Sequence, residues 1–369
     1  MIVVQGAILG LWAGDTLAQS GVNDDFGAGE LDWVVWCPCQ VDMKDAPVRF
    51  LPDPDQAGDG IIAIVADEAS LGGNECRRGE CVPPRSSRAF DLYATRMPPF
   101  DTRLADVYTE PEPLGPSFII EPQAKAFKNP HCTPEVQKRH NAASEENGPC
   151  FQRQELRLQD NERHKVPEAF RYTIRFRMPH SIADEENSVR WVTAQWKHEP
   201  VSRRYKAELG PDWSPSPFLA QRFDDGILHV TVQDEDCRCT IASAPKPDGS
   251  TEAWQDGAVQ NCLSTRPTDP DGTTCVSTLR AQYGPDPVLT SPRGRWVEMS
   301  YRVQADRSKD AVIEVSQDGR LIVRVTGRIG YDVNPLQDSY VKFKFGAYRD
   351  YMPSVDEMQV DSVSIAPLP

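Results

Sequence analysis

No stretch of this 369-residue chain approaches the roughly 20 consecutive apolar residues that cross a bilayer as a helix, so no membrane partner is expected. No run of Lys and Arg is long enough to make a nucleic-acid stripe. With 40 basic against 55 acidic residues the net charge is −15, which argues against nucleic acid as a partner. The ten cysteines contain no paired C-x2-C pattern, and no histidine follows them at finger spacing, so disulfides stand ahead of zinc. No internal repeat is visible. Proline outnumbers glycine, 32 to 24, and breaks the chain into turns and irregular connections, which excludes an α-helical bundle.

What is there fits an ordinary globular protein, 39% hydrophobic and 26% charged. The cysteines fall in close sets: 37 and 39, 76 and 81, 132 and 150, 237 and 239, 262 and 275. An even, clustered set of this kind belongs to an oxidising compartment. Pairing stays open, although Cys132 with Cys150 and Cys262 with Cys275 would close polar, Pro-rich loops. Residues 2–12 are apolar, and Thr16-Leu17-Ala18 resembles the end of a signal peptide without its basic leader. Residues 1–20 are therefore read as a signal segment and the protein as secreted.

Short apolar runs at 31–36, 60–66 and 117–121 predict strands, and a short helix is expected near Pro134 within 131–149. From Phe151 onward the alternation is clearer. Residues 171–178 put Arg171, Thr173, Arg175 and Arg177 on one face and Tyr172, Ile174, Phe176 and Met178 on the other. Residues 190–198, 296–303 and 311–315 alternate too, Gln317-Asp-Gly-Arg320 makes a hairpin turn into 321–325, and 340–348 and 358–365 close the chain. Residues 233–295 show little periodicity and are read as a disulfide-pinned excursion. The fold class expected is all-β: one β-jelly-roll sandwich over 21–369, with long disulfide-pinned loops, as a monomer.

Three segments have unusual polar faces. In Arg153-Gln-Glu-Leu-Arg157, Arg153, Glu155 and Arg157 share a side, and two guanidinium groups flank a carboxylate with donors left over for an anion. In Trp191-Val-Thr-Ala-Gln195-Trp-Lys-His198, Gln195 and Lys197 share a face with Trp191 and Thr193, while Val192 and Trp196 point to the core. An amide donor beside an ammonium suits a carboxylate that gains charge. In Tyr340-Val-Lys-Phe-Lys-Phe-Gly-Ala-Tyr348-Arg-Asp350, Val341, Phe343, Phe345 and Ala347 form a core face. Lys342, Lys344, Gly346 and Tyr348 form the other, where the lysines favour the tyrosine phenolate and Gly346 leaves room for a ligand. Each segment taken alone also fits a solvated strand face.

Taken together, the three segments resemble the alginate-lyase-type polysaccharide lyases with a concanavalin-like jelly roll. Phe343-Lys-Phe-Gly-Ala-Tyr-Arg349 is closer to the glucuronan lyase and heparin lyase I-like branches. The resemblance runs over about residues 150–352 in motif order. It implies β-elimination on an anionic, uronic-acid polysaccharide with no cofactor. It also implies Tyr348 as base, acid or both, and Arg153, Gln195 and either Lys197 or His198 as neutralisers of the substrate carboxylate. The histidine of the pattern falls where this chain has Lys197, so a β-bulge would be needed to aim His198 at the substrate. Substrate-binding roles are expected for Arg157, Glu155, Arg175, Lys342, Lys344 and Arg349.

Two other readings share the fold. Glu30-Leu-Asp-Trp-Val-Val35 begins like the acidic strand of a laminarinase-type hydrolase but lacks its final acid. A non-catalytic lectin-like module would also use a basic face and tryptophans. No catalytic metal is expected. Structural calcium is left open at the acidic loops Asp53-Pro-Asp55-Gln-Ala-Gly-Asp59 and Asp269-Pro-Asp271.

Overall fold

The structure is a computed structural model. It describes residues 21–29, 31–32, 35–38, 48–56, 59–66, 131–136, 138, 150–159, 163–166, 168–179, 190–200, 216–224, 226–266, 269, 272–305, 311–331 and 339–369. The signal segment at 1–20, the strand expected at 117–121, and Cys39, Cys76 and Cys81 lie outside the described residues.

The first half of the chain supplies β1 (Val22–Asp24), β2 (Trp36–Pro38), β3 (Val48–Pro52), β4 (Gly60–Ala66), β5 (Phe151–Leu158), β6 (Phe170–Arg177) and β7 (Arg190–Pro200). Next come β8 (Leu219–Asp224), β9 (Ile227–Asp234), β10 (Cys237–Ser243), β11 (Gly257–Ala258), β12 (Cys262–Ser264) and β13 (Arg280–Tyr283). The last strands are β14 (Val297–Gln304), β15 (Ala311–Gln317), β16 (Arg320–Gly327), β17 (Ser339–Asp350) and β18 (Asp356–Pro367). They form two antiparallel sheets. One runs β11-β13-β16-β15-β14-β6-β18-β4-β3, with β1 also on β18; the other runs β12-β10-β9-β8-β7-β17-β5-β2. This is the expected sandwich, and Pro134, Glu135, Val136 and Lys138 form the expected short helix.

Aromatic side chains from both inner faces knit the layers together. Trp196 of the eight-stranded sheet lies 5.5 Å from Tyr172 and 4.7 Å from Tyr301 of the ten-stranded sheet, and Phe343 lies 4.9 Å from Tyr172. All four are fully buried. Such tilted and edge-on pairs add to the area they bury. Polar side chains carried into this layer are linked: the Tyr301 hydroxyl donates to Gln221 Oε1 at 2.7 Å, and the Gln221 amide donates to Thr193 Oγ1 at 2.8 Å. At the β15–β16 turn Asp318 and Gly319 both have positive φ, 51° and 76°, the geometry that a two-residue hairpin requires.

The structure changes three expectations. Residues 233–295 are not one irregular excursion, since β10, β11, β12 and β13 all lie there and extend both sheets. Their short lengths hide the alternation. Cys262 pairs with Cys239, its opposite number across the β10–β12 ladder, and Cys275 pairs with Cys237. The register of the ladder, rather than the length of the loop, decides which sulfurs meet. Cys132 does pair with Cys150, and Cys37 is also disulfide-bonded. Finally, among the described residues of the run at 31–36, only Trp36 lies in a strand.

Buried His164 stacks on Phe170 with ring centres 4.0 Å apart, and its Nδ1 lies 2.8 Å from the Tyr172 hydroxyl. Burial pushes its pKa down to about 3, so the folded ring is neutral and accepts that hydroxyl. The unfolded chain binds the extra proton between about pH 6.5 and 3, so this pair contributes stability that is lost as pH falls through that window. His164→Phe should lower stability at pH 7 by about 1–3 kcal/mol, because Tyr172 loses its acceptor. It should also flatten the acid limb of a melting-temperature-against-pH curve. An unchanged acid limb would contradict the assignment.

Candidate active site

The ladder order β7-β17-β5 places the three polar segments side by side. Across it Tyr348 stands opposite Arg153, Gly346 opposite Glu155, and Lys344 opposite both Arg157 and Gln195. Lys342 pairs with Lys197. Directly opposed residues share a face, so Arg153, Glu155, Arg157, Gln195, Lys197, Lys342, Lys344 and Tyr348 occupy the outer face of the eight-stranded sheet. Phe343, Phe345 and Ala347 point inward, as the alternation predicts.

Glu155 is the hub of this face. Its carboxylate lies 3.6 Å from Lys344 Nζ and 3.4 Å from Arg153 Nε, and it accepts the Gln195 amide. Burial alone would raise its pKa, but Lys344, Arg153, Gln195 and Lys197 outweigh burial and hold it ionised. Lys344 feels the reverse. Burial, joined by the cations of Arg153, Lys342 and Lys197, lowers its pKa to about 7 against the opposing pull of Glu155. At the outer side Glu199 accepts Arg163 at 2.5 Å and lies 3.9 Å from Lys342.

The Tyr348 ring is set between cations. The Arg153 guanidinium lies 4.3 Å from its centroid and that of Arg190 5.4 Å, with Phe151 edge-on at 5.5 Å. Arg190 is fixed in turn by Asp350, which accepts its Nε and its backbone N–H at 3.2 Å each. Arg190, Asp350, Arg222, Asp224, His229 and Arg238 escaped the sequence reading. Their signal was present, because Leu219–Asp224 and Ile227–Asp234 alternate as β17 does, but neither carries a motif.

Register faults correct the expected faces. Between Val192 and Ala194 the β7–β8 ladder slips by one residue, and the β17–β7 ladder slips between Phe345 and Tyr348. The extra residue, Thr193, reverses the parity, so Trp191 packs in the core while Val192 joins the face of Tyr348. No slip occurs from Ala194 to Pro200, so His198 stays on the inner side. It packs on Phe218 with centroids 4.6 Å apart, its Nδ1 is 3.3 Å from the Ser339 hydroxyl, and Gly330 backs onto its Nε2. Lys197, not His198, therefore accompanies Gln195.

Three more expectations move. Arg175 belongs to β6 in the other sheet, where it pairs with Asp361 at 3.0 Å and lies over Trp296. Arg349 turns inward from Tyr348, fully buried, and binds Gln152, Asp356, Ala66 O and Ser354 O. Gly346 is not a ligand gap. Its φ is 131°, and a Cβ there would stand 2.4 Å from Gln154 O, so glycine is required by the backbone of β5.

A polysaccharide lyase family model matches residues 127–364. The chain belongs to this family. This lyase has no match among curated proteins. Among solved structures it is similar to the family-7 alginate lyase A1-II′, with 12% identity over 93% of this chain and 99% of that one and a TM-score of 0.41. It is also similar to an endo-β-1,4-glucuronan lyase from the fungus Trichoderma reesei, with 9% identity over 90% and 94% and a TM-score of 0.41. No helix among the described residues is long and apolar enough to cross a membrane.

The charge arrangement gives Lys344 a testable titration. In the lyase carrying 13C-dimethylated lysines, the Lys344 resonance should shift with a midpoint near pH 7, far below an ordinary lysine. Glu155→Gln removes the charge that supports the ammonium, so the midpoint should fall further. A rise, or an ordinary lysine midpoint in the parent protein, would contradict this electrostatic picture.

Proposed function

We propose that this lyase cleaves an anionic, uronic-acid polysaccharide by β-elimination on the outer face of the eight-stranded sheet. The observation that supports this most directly is the cationic face around Tyr348 in a protein of net charge −15: Arg153, Arg157, Lys197, Lys342 and Lys344 gather around two acids, Glu155 and Glu199. A local basic groove is what lets an acidic protein attract a polyanion.

The chemistry follows from the groups. Neutralising the uronate carboxylate makes its C5 proton acidic and stabilises the charge that develops when the proton leaves. Lys197, Arg153 and the second N–H of the Gln195 amide, whose first is held by Glu155, would supply that neutralisation. Tyr348 takes the C5 proton. The C5–H electrons form the C4=C5 double bond, the C4–O4 bond breaks with its electron pair going to O4, and O4 takes up a proton from the Tyr348 phenol or from water. The guanidinium groups of Arg153 and Arg190 lie over the ring and hold it in place beside the neutralising groups. The disulfides support an extracellular setting.

A structural cation belongs to the same proposal, away from the chemistry. Asp53, Asp59 and Asp361 bring carboxylate oxygens within 4.8 Å of one another beside the ten-stranded sheet. Asp53 is 5% exposed, and its buried Oδ2 has no hydrogen-bond partner. An all-oxygen set of this kind fits calcium, which would brace the β3–β4 connection against β18.

Tyr348→Phe removes one oxygen and keeps the ring between its cations, so folding should survive. Its release of unsaturated uronate ends, read by ultraviolet absorbance on a panel of polyuronates, should fall by about 10²-fold or more. Near-native turnover would reject Tyr348 as the proton carrier. Separately, millimolar calcium should raise the melting temperature of the parent protein, and Asp53→Asn should abolish most of that rise. An equal rise in both proteins would place the ion elsewhere.

A further inference from the structure

The polar face continues beyond the catalytic strands. Register places Arg153, Tyr348, Val192, Arg222 and His229 in one row across β5, β17, β7, β8 and β9. At ~4.8 Å per strand, His229 stands ~14 Å from Tyr348 along that row. Asp224 lies among these groups, 3.0 Å from Arg222 Nη2 and 2.8 Å from His229 Nε2, while His229 Nδ1 lies 3.1 Å from Ile227 O. Both ring nitrogens thus face oxygen atoms of neighbouring groups.

Arg238 of β10 shares this face, because Thr240, two residues on, is aligned through Thr231 and Ala220 with Gln195. Its guanidinium interacts with those of Arg222 and Arg190 and with Asp224. Burial and the two like charges lower its pKa to about 10, which still leaves it charged at neutral pH. Among the described residues, three arginines therefore share two carboxylates, Asp224 and Asp350, the second already held by Arg190. A structural ion-pair network would balance its charges; counted over the described residues, this one keeps positive charge in surplus. The cluster is also open to solvent at its rim, with 29% of the Arg190 side chain and 21% of that of Asp224 exposed.

We propose that Arg222 and Arg238, with Arg190 at the edge nearest Tyr348, form a second carboxylate-binding subsite, which holds a uronate of the same polymer on the β8–β10 side of the bond that is cleaved. This rests on the polyuronate reading and adds a direction to it: the chain crosses the strands from β5 towards β10. A carboxylate settling among the arginines would supply the missing negative charge through charge-assisted hydrogen bonds.

The test is length-resolved kinetics on size-fractionated oligouronates of the best polymer. Arg238→Gln should raise KM for long chains about tenfold relative to KM for the shortest cleavable oligomers, and Arg238→Lys should recover much of the loss. Equal KM changes at every length, or none, would overturn the subsite while leaving the cleavage chemistry intact. Failure of the parent lyase to cleave any polyuronate would overturn the substrate reading and this subsite with it. If Arg238→Gln does not fold, Arg238→Met, which keeps the length and apolar stem of the side chain, decides in its place: a length-dependent KM rise supports the subsite, and parent-like ratios overturn it.

Discussion

Everything on the polar face around Tyr348 depends on one buried carboxylate. Lys344, Arg153 and Lys197 converge on Glu155, and without its charge they would repel one another in a poorly solvated place. The fall of the Lys344 pKa to about 7 shows how closely the opposing influences are matched. Glu155 also takes one N–H of Gln195, which fixes the amide and leaves its second N–H pointing elsewhere. The same group therefore makes the cations tolerable and orients a neutral donor among them. On the proposed function, a polyanion arriving on this face would meet positive charge that is already ordered, which would leave little reorganisation for the reaction step.

Backbone geometry decides which side chains reach that face. Thr193 is the extra residue in β7, and it exchanges the positions of Trp191 and Val192 between the core and the outside. Gly346 permits the matching irregularity in β17, because no Cβ fits between it and Gln154 O. Trp191, turned inward, donates its indole N–H towards Gly346 O at 3.4 Å and carries the Arg349 guanidinium over its ring. The two faults thus support each other next to Tyr348, where a bulge can aim a side chain that a regular ladder would not. The aromatic layer beneath, from Trp196 through Tyr172, Tyr301 and Phe343, gives this irregular stretch a rigid floor.

The charge of the molecule is divided between its two sheets. Arg175 and Arg177, which sequence alternation alone cannot tell from the arginines of β5, lie on the other sheet beside Asp361, Asp55 and Trp296. There they are neutralised locally. On the eight-stranded sheet the cations outnumber their acids from β5 through β10, so the groove is positive while the protein as a whole is acidic.

The all-β class, the sandwich, the hairpin at Asp318-Gly319 and the order of the three polar segments were legible in the sequence. Each rests on period-2 alternation or on local turn chemistry, and both are carried by neighbouring residues. Tyr348, Arg153, Glu155 and Gln195 were legible for the same reason, as members of alternating strands with unusual outer faces. The sequence could not say which strands pair, and so it could not separate Arg175 from Arg153. It could not place a bulge either, so Trp191 and His198 were assigned by a parity that Thr193 breaks or that no slip restores. The cysteine partners followed the β10–β12 register instead of loop length. Arg190, Arg222 and Arg238 became visible only when β7, β8 and β10 lay in one sheet. Pairing, register and bulges are set by contacts between segments far apart in the chain, and only the tertiary structure brings those segments together.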